Sequence, residues 1–151
     1  IRVGLFAEKY FMYFEEVDFA FRAQFLGYKS IFCPLAVVYH KHKATSRKLP
    51  GHVEYWQFRN MVQTIIKDFP TGILFKNWRW LNIILVYLNT CFYQLRNGFF
   101  GPPILTTFWI ILNFPRLLSE REKIMKQKKV EDSYIEGFLI EKKVTFLGLL
   151  K

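Results

Sequence analysis

The apolar positions Phe14, Val17, Phe21 and Phe25 recur at i, i+3, i+7 and i+11, one stripe of a helix predicted over residues 12–26. Gly27 follows in the position that usually ends a helix. Lys29 to Cys33 reads as a strand stopped by Pro34, and Ala36 to Tyr39 as a second strand ending at His40. Lys41 to Gly51 is polar, basic and closed by Pro and Gly, so it reads as a loop. Tyr55, Phe58, Val62, Ile65 and Phe69 then repeat at helical spacing, which predicts a long helix from about His52 to Phe69, broken by Pro70, Thr71 and Gly72. Greasy helices are expected over about 76–96 and 103–113, a charged helix from Leu117 to Lys128, and a short last one from Val130 to Glu141. The predicted architecture therefore changes near residue 50. Residues 1–50 read as α/β with a mixed sheet, and residues 51–151 as all helical.

Charge and composition sharpen that division. The chain has 151 residues and a formal net charge of +10, with 52% apolar and 19% aromatic residues. So much apolar content excludes a disordered polyelectrolyte. Two cysteines exclude a disulfide scaffold or a Cys-rich zinc module and fit a reducing compartment. Residues 1–40 are balanced at four basic and four acidic groups, whereas residues 41–129 hold 15 basic and four acidic ones. Within this basic middle, Leu81–Leu95 and Asn97–Pro115 carry no charge at all. A spanning helix needs about 20 mostly apolar residues. The first stretch is shorter and holds Asn82, Asn89, Thr90 and Gln94, and the second is interrupted by Gly98, Gly101, Pro102 and Pro103. Trp78, Trp80, Tyr87, Tyr93 and Trp109 supply amphipathic rings suited to headgroup depth, and basic residues flank each segment. These helices are expected to lie in the interface of an anionic membrane. Basic residues mixed with aromatics also raise nucleic-acid binding, but there is no RNP motif, zinc spacing or recognition helix, and uncharged stretches suit lipid better than phosphate.

Candidate chemistry gathers in Tyr13-Phe14-Glu15-Glu16-Val17-Asp18-Phe19-Ala20-Phe21-Arg22. Three carboxylates at the start of a helix suit its dipole, and Asp18 and Arg22, four apart, can pair on one face. Residues 4–46 read G-L-F-A-E-K-Y-F-M-Y-F-E-E-V-D-F-A-F-R-A-Q-F-L-G-Y-K-S-I-F-C-P-L-A-V-V-Y-H-K-H-K-A-T-S. The acidic run, the G-Y-K turn and the later V-x-H with A-T-S resemble the second half of the catalytic domain of family 2 glycosyltransferases, in the rhamnosyltransferase-like branch. The likeness is close over roughly residues 3–70.

The resemblance implies the C-terminal half of a GT-A fold, a nucleotide-diphospho-sugar transferase domain, ahead of the helical tail. It implies an inverting glycosyltransferase that moves a sugar from a nucleotide-sugar donor to a lipid-linked or polysaccharide acceptor at the cytoplasmic membrane face. Glu16 takes the place of the family's general base, where Asp is usual. Glu15 and Asp18 become supporting acids, and Arg22 orients Asp18. A divalent cation, Mn²⁺ or Mg²⁺, is implied, with His40 as its ligand or a phosphate contact and His42 as the competing candidate. The loop after it, with Lys43, Thr45 and Ser46, is expected over the diphosphate or the acceptor. Arg59-Asn60 matches a pair common in such enzymes. No Asp-x-Asp occurs, so the chain is expected to be a C-terminal part lacking a complete donor site. The alternative reading is a non-catalytic, basic, amphipathic membrane-binding module.

Overall fold

The computed structural model describes residues 3–39 and 51–139. After a 3-10 turn at Glu8–Tyr10 come α1 (Glu15–Phe25), α2 (His52–Asp68), α3 (Thr71–Phe75), a second 3-10 turn at Lys76–Trp78, α4 (Arg79–Arg96), α5 (Gly101–Gln127) and α6 (Asp132–Glu136). No strand forms among the described residues, which corrects the expected α/β half of a GT-A fold. The two segments expected as strands run as irregular backbone with a turn closed by the Ala36 N–H on the Cys33 carbonyl. Their composition favours extension, but a strand exists only where a second one completes its ladder, and none lies beside them among the described residues. Ile31, Phe32, Leu35, Val38 and Tyr39 consequently stand exposed.

The helices arise where the apolar spacing places them, with instructive differences at their ends. α1 starts at Glu15 rather than Met12, because Phe11, Tyr13 and Phe14 take positive φ angles of 62°, 67° and 68°. Gly27, at φ 84°, closes α1 by giving its N–H to the Gln24 carbonyl. α2 opens with the Gly51 N–H on the Glu54 carboxylate at 2.8 Å. Pro70 ends α2 and caps the short α3. α5 joins two expected helices into one rod of 27 residues that passes through Pro115. Around that proline, Asn113 donates to the Trp109 carbonyl, and Arg116 bridges Asn113 and Glu120. These bonds brace the turn at which the proline withholds its N–H.

α2 packs along α5 more extensively than any other two helices meet. A small apolar core of Phe25, Ile73 and Ile135, with Phe21, Phe69, Ile124 and Met125 against it, ties the end of α1 to α3, α5 and α6. α1 and the segment before it lie on α2, so the acidic motif is carried on that helix.

Candidate functional site

The three acids of α1 go to three environments. Asp18 is fully buried. Its Oδ2 accepts from Arg22 Nε at 2.9 Å and Nη2 at 2.7 Å, and its Oδ1 pairs with Lys67 Nζ from α2. The Asp18–Arg22 pair forms at the i, i+4 spacing read from the sequence. Arg22 also holds the entering chain by donating to the Val3 and Leu5 carbonyls. Glu15 is half-buried with one oxygen enclosed, and Glu16 is exposed to solvent.

Beneath α1 lies a polar interior that the motif did not announce. Lys67 sits 4.8 Å from the centre of the Tyr10 ring, and the Tyr10 hydroxyl and Thr64 Oγ1 are 2.8 Å apart. Asp68, next to Lys67 in the chain, is also fully buried, and neither of its oxygens has a hydrogen-bond partner. Burial pushes its acid up to about 8; Lys67 and Arg22 oppose this and the Asp18 charge adds to it. Burial likewise drives the Tyr10 hydroxyl far above its ordinary range. Burial thus favours the protonated form of Asp68, while Asp18 is the carboxylate that faces Lys67 and Arg22.

Arg59 and Asn60 shape the backbone ahead of Glu15. Asn60 Nδ2 lies 2.9 Å from the Tyr10 carbonyl, 2.7 Å from that of Met12 and 2.9 Å from that of Tyr13. Arg59 donates to the Lys9 and Tyr10 carbonyls and to Asn60 Oδ1. Its guanidinium stacks between the rings of Tyr55 and Trp109, 5.4 Å and 5.0 Å from their centres. Three non-glycine residues at positive φ persist only where their surroundings over-determine them. Here two side chains of α2 do so, fixing the turn from which Glu15 and Glu16 emerge. The Phe11 ring ends up 4.7 Å from that of Trp56.

His40, its competitor His42, Lys43, Thr45 and Ser46 lie outside the described residues; of the expected site, Glu15, Glu16, Asp18 and Arg22 are described, and of these Asp18 and Arg22 pair. Among the described residues no three His, Cys, Asp or Glu side chains converge as a metal set. Asp18, with both oxygens taken by cations, does not fit a divalent ion. Sequence reasoning missed Lys67, Asp68 and Tyr10. The available signal was the spacing of Asn60, Gln63, Thr64 and Lys67, a polar i, i+3, i+4, i+7 stripe on α2, now buried. No family model, curated protein or solved structure matches the chain.

Proposed function

We propose that the start of α1 is the proton-accepting end of a sugar-transfer site, with Glu16 as general base. The observation that carries this reading is the unequal treatment of the acids of one turn. Asp18 is consumed by Arg22 and Lys67 below, while Glu16 stands free above on a backbone fixed by Arg59 and Asn60. A general base needs such an open carboxylate on a rigid support, within hydrogen-bond reach of the hydroxyl it serves.

In the reaction the acceptor oxygen bonds to the anomeric carbon of a nucleotide-sugar. The bond from that carbon to the diphosphate oxygen breaks, and its electron pair leaves with the diphosphate. The hydroxyl proton passes to Glu16. Attack opposite the leaving group inverts the centre. The support is the motif over residues 4–46 together with this geometry, and residues beyond the described ones must hold the donor.

The test is Glu16→Gln in the full-length protein, assayed with a panel of nucleotide-sugars and membrane-extracted lipid-linked glycans as acceptors. The expected result is a fall in kcat of roughly 10²–10⁴-fold with little change in acceptor KM. Transfer by the variant at the parental rate overturns the assignment.

A further inference from the structure

α5 leaves a row of apolar side chains open to water, although Pro102, Pro103 and Leu117 are buried. Its inner side, toward α2, carries Thr106, Asn113, Arg116, Glu120 and Arg121, with Thr106 fully buried and Arg121 donating to the Ile66 carbonyl. Its outer side carries Ile104, Phe108, Ile111, Leu112 and Leu118, with Phe108 61% and Ile111 66% exposed. α4 repeats the arrangement. Gln94 is buried, whereas Leu81, Leu85, Leu88, Phe92 and Leu95 face out along i, i+4, i+7, i+11 and i+14. Water penalises such a surface, and apolar patches of this extent on a folded chain mark a contact with something else.

The charges around this face select its occupant. Residues 71–118 contain four basic residues and no acidic one; Lys76, Arg79 and Arg96 lie at the ends of α4, and Arg116 turns inward to Glu120. Lys76 and Arg79 both reach Glu136 at one end of α4, and Arg96 stands exposed at the other. Trp78 and Tyr93, 68% and 63% exposed, offer amphipathic rings at the same two ends. Tyr87 and Trp109, expected beside them, instead turn inward. Tyr87 meets Thr107 and the Phe58 ring, and Trp109 lies between Arg59 and Arg116. No helix among the described residues is long and apolar enough to cross a membrane. An apolar plane rimmed by cations and aromatic rings, on helices too short or too polar to span, matches the headgroup–acyl boundary of an anionic bilayer.

We infer that the outer face of α4 and α5 docks on an anionic lipid surface, with Leu88, Phe92, Phe108 and Ile111 entering the acyl boundary. This stands whether or not α1 performs chemistry. The full chain is mixed with vesicles of phosphatidylcholine alone, or with about one third phosphatidylglycerol, and binding is read by flotation and by quenching of Trp fluorescence with brominated lipid. Binding is expected to favour the anionic vesicles and to weaken with salt. Leu88→Glu with Phe108→Glu is expected to lower the partition coefficient by on the order of a hundredfold. Both sites are exposed, so the helical circular dichroism stays unchanged. Failure of the parental chain to float with either vesicle overturns the inference, as does floating that the double variant leaves intact. A lipid-free dimer abolished by the same two substitutions also overturns it, by assigning the face to a second copy.

Discussion

Under α1 the molecule hides its polar groups, and along α4 and α5 it displays its apolar ones. The first region buries Asp18, Asn60, Gln63, Thr64, Lys67 and Asp68 completely or nearly so, each on a short list of partners or on none. The second leaves Leu88, Phe92, Phe108 and Leu112 more than half exposed. The two regions obey the same physics with different surroundings. A buried polar network is stable only when its members satisfy one another, and an apolar plane is stable only when water is kept from it. Asp68 apart, the interior supplies its own partners, whereas the exterior is an apolar plane that the described residues leave uncovered.

The largest break in this comparison is Asp18→Ala. It strands Lys67 in the interior without its counter-charge and is expected to cost about 3–5 kcal/mol, read by urea unfolding. A loss below about 1 kcal/mol would mean that water already reaches this cluster. A smaller effect comes from pH. The Asp68 acid sits near 8 in the folded chain, against 3.8 when free. The stability it contributes is fully present below pH 4 and drains away as pH rises through 8, because the folded state holds a proton that the unfolded state has released. Tyr10, Lys67, Asp18, Arg22 and Arg121 are the titratable groups that face it. Unfolding followed from pH 5 to 9 should show this decline, and Asp68→Asn, which cannot ionise, should flatten it. The smallest effect belongs to the exterior. Leu88→Glu with Phe108→Glu should leave unfolding in lipid-free water within about 0.5 kcal/mol of the parental chain. A larger loss would show that these side chains already pack on something within the molecule.

Periodicity made α1 and α2 legible nearly to their ends, because their apolar stripes repeat at 3.6 residues and the glycine at 27 closes α1, while α4 was legible as an uncharged, greasy run. It failed where local preference met long-range pairing. Ile31, Phe32, Val37 and Val38 have the chemistry of strands, yet composition says nothing about whether a neighbouring strand is there to receive their hydrogen bonds. It failed again at Pro115, where the rule that proline ends a helix lost to packing along α2 and to the bonds of Asn113 and Arg116. Of the candidate site, the acidic run and the Asp18–Arg22 pair could be read directly. The sorting of Glu16 to solvent and Asp18 to the interior could not, since it depends on Lys67, 49 residues away in the chain. The absence of charge marked α4 and the first half of α5 as greasy helices, but not which of their residues, such as Gln94 and Thr106, would turn inward.

The proline in α5 also sets a limit on how far that rod can sink. Pro115 offers no N–H to the carbonyl of Ile111, and both residues lie on the outward side. Hydrocarbon has no donor to replace it, and an unanswered carbonyl there costs several kcal/mol. In the docking we propose, the oxygen stays where moisture reaches it while the Ile111 side chain dips below, so this one imino acid acts as a float line for the rod.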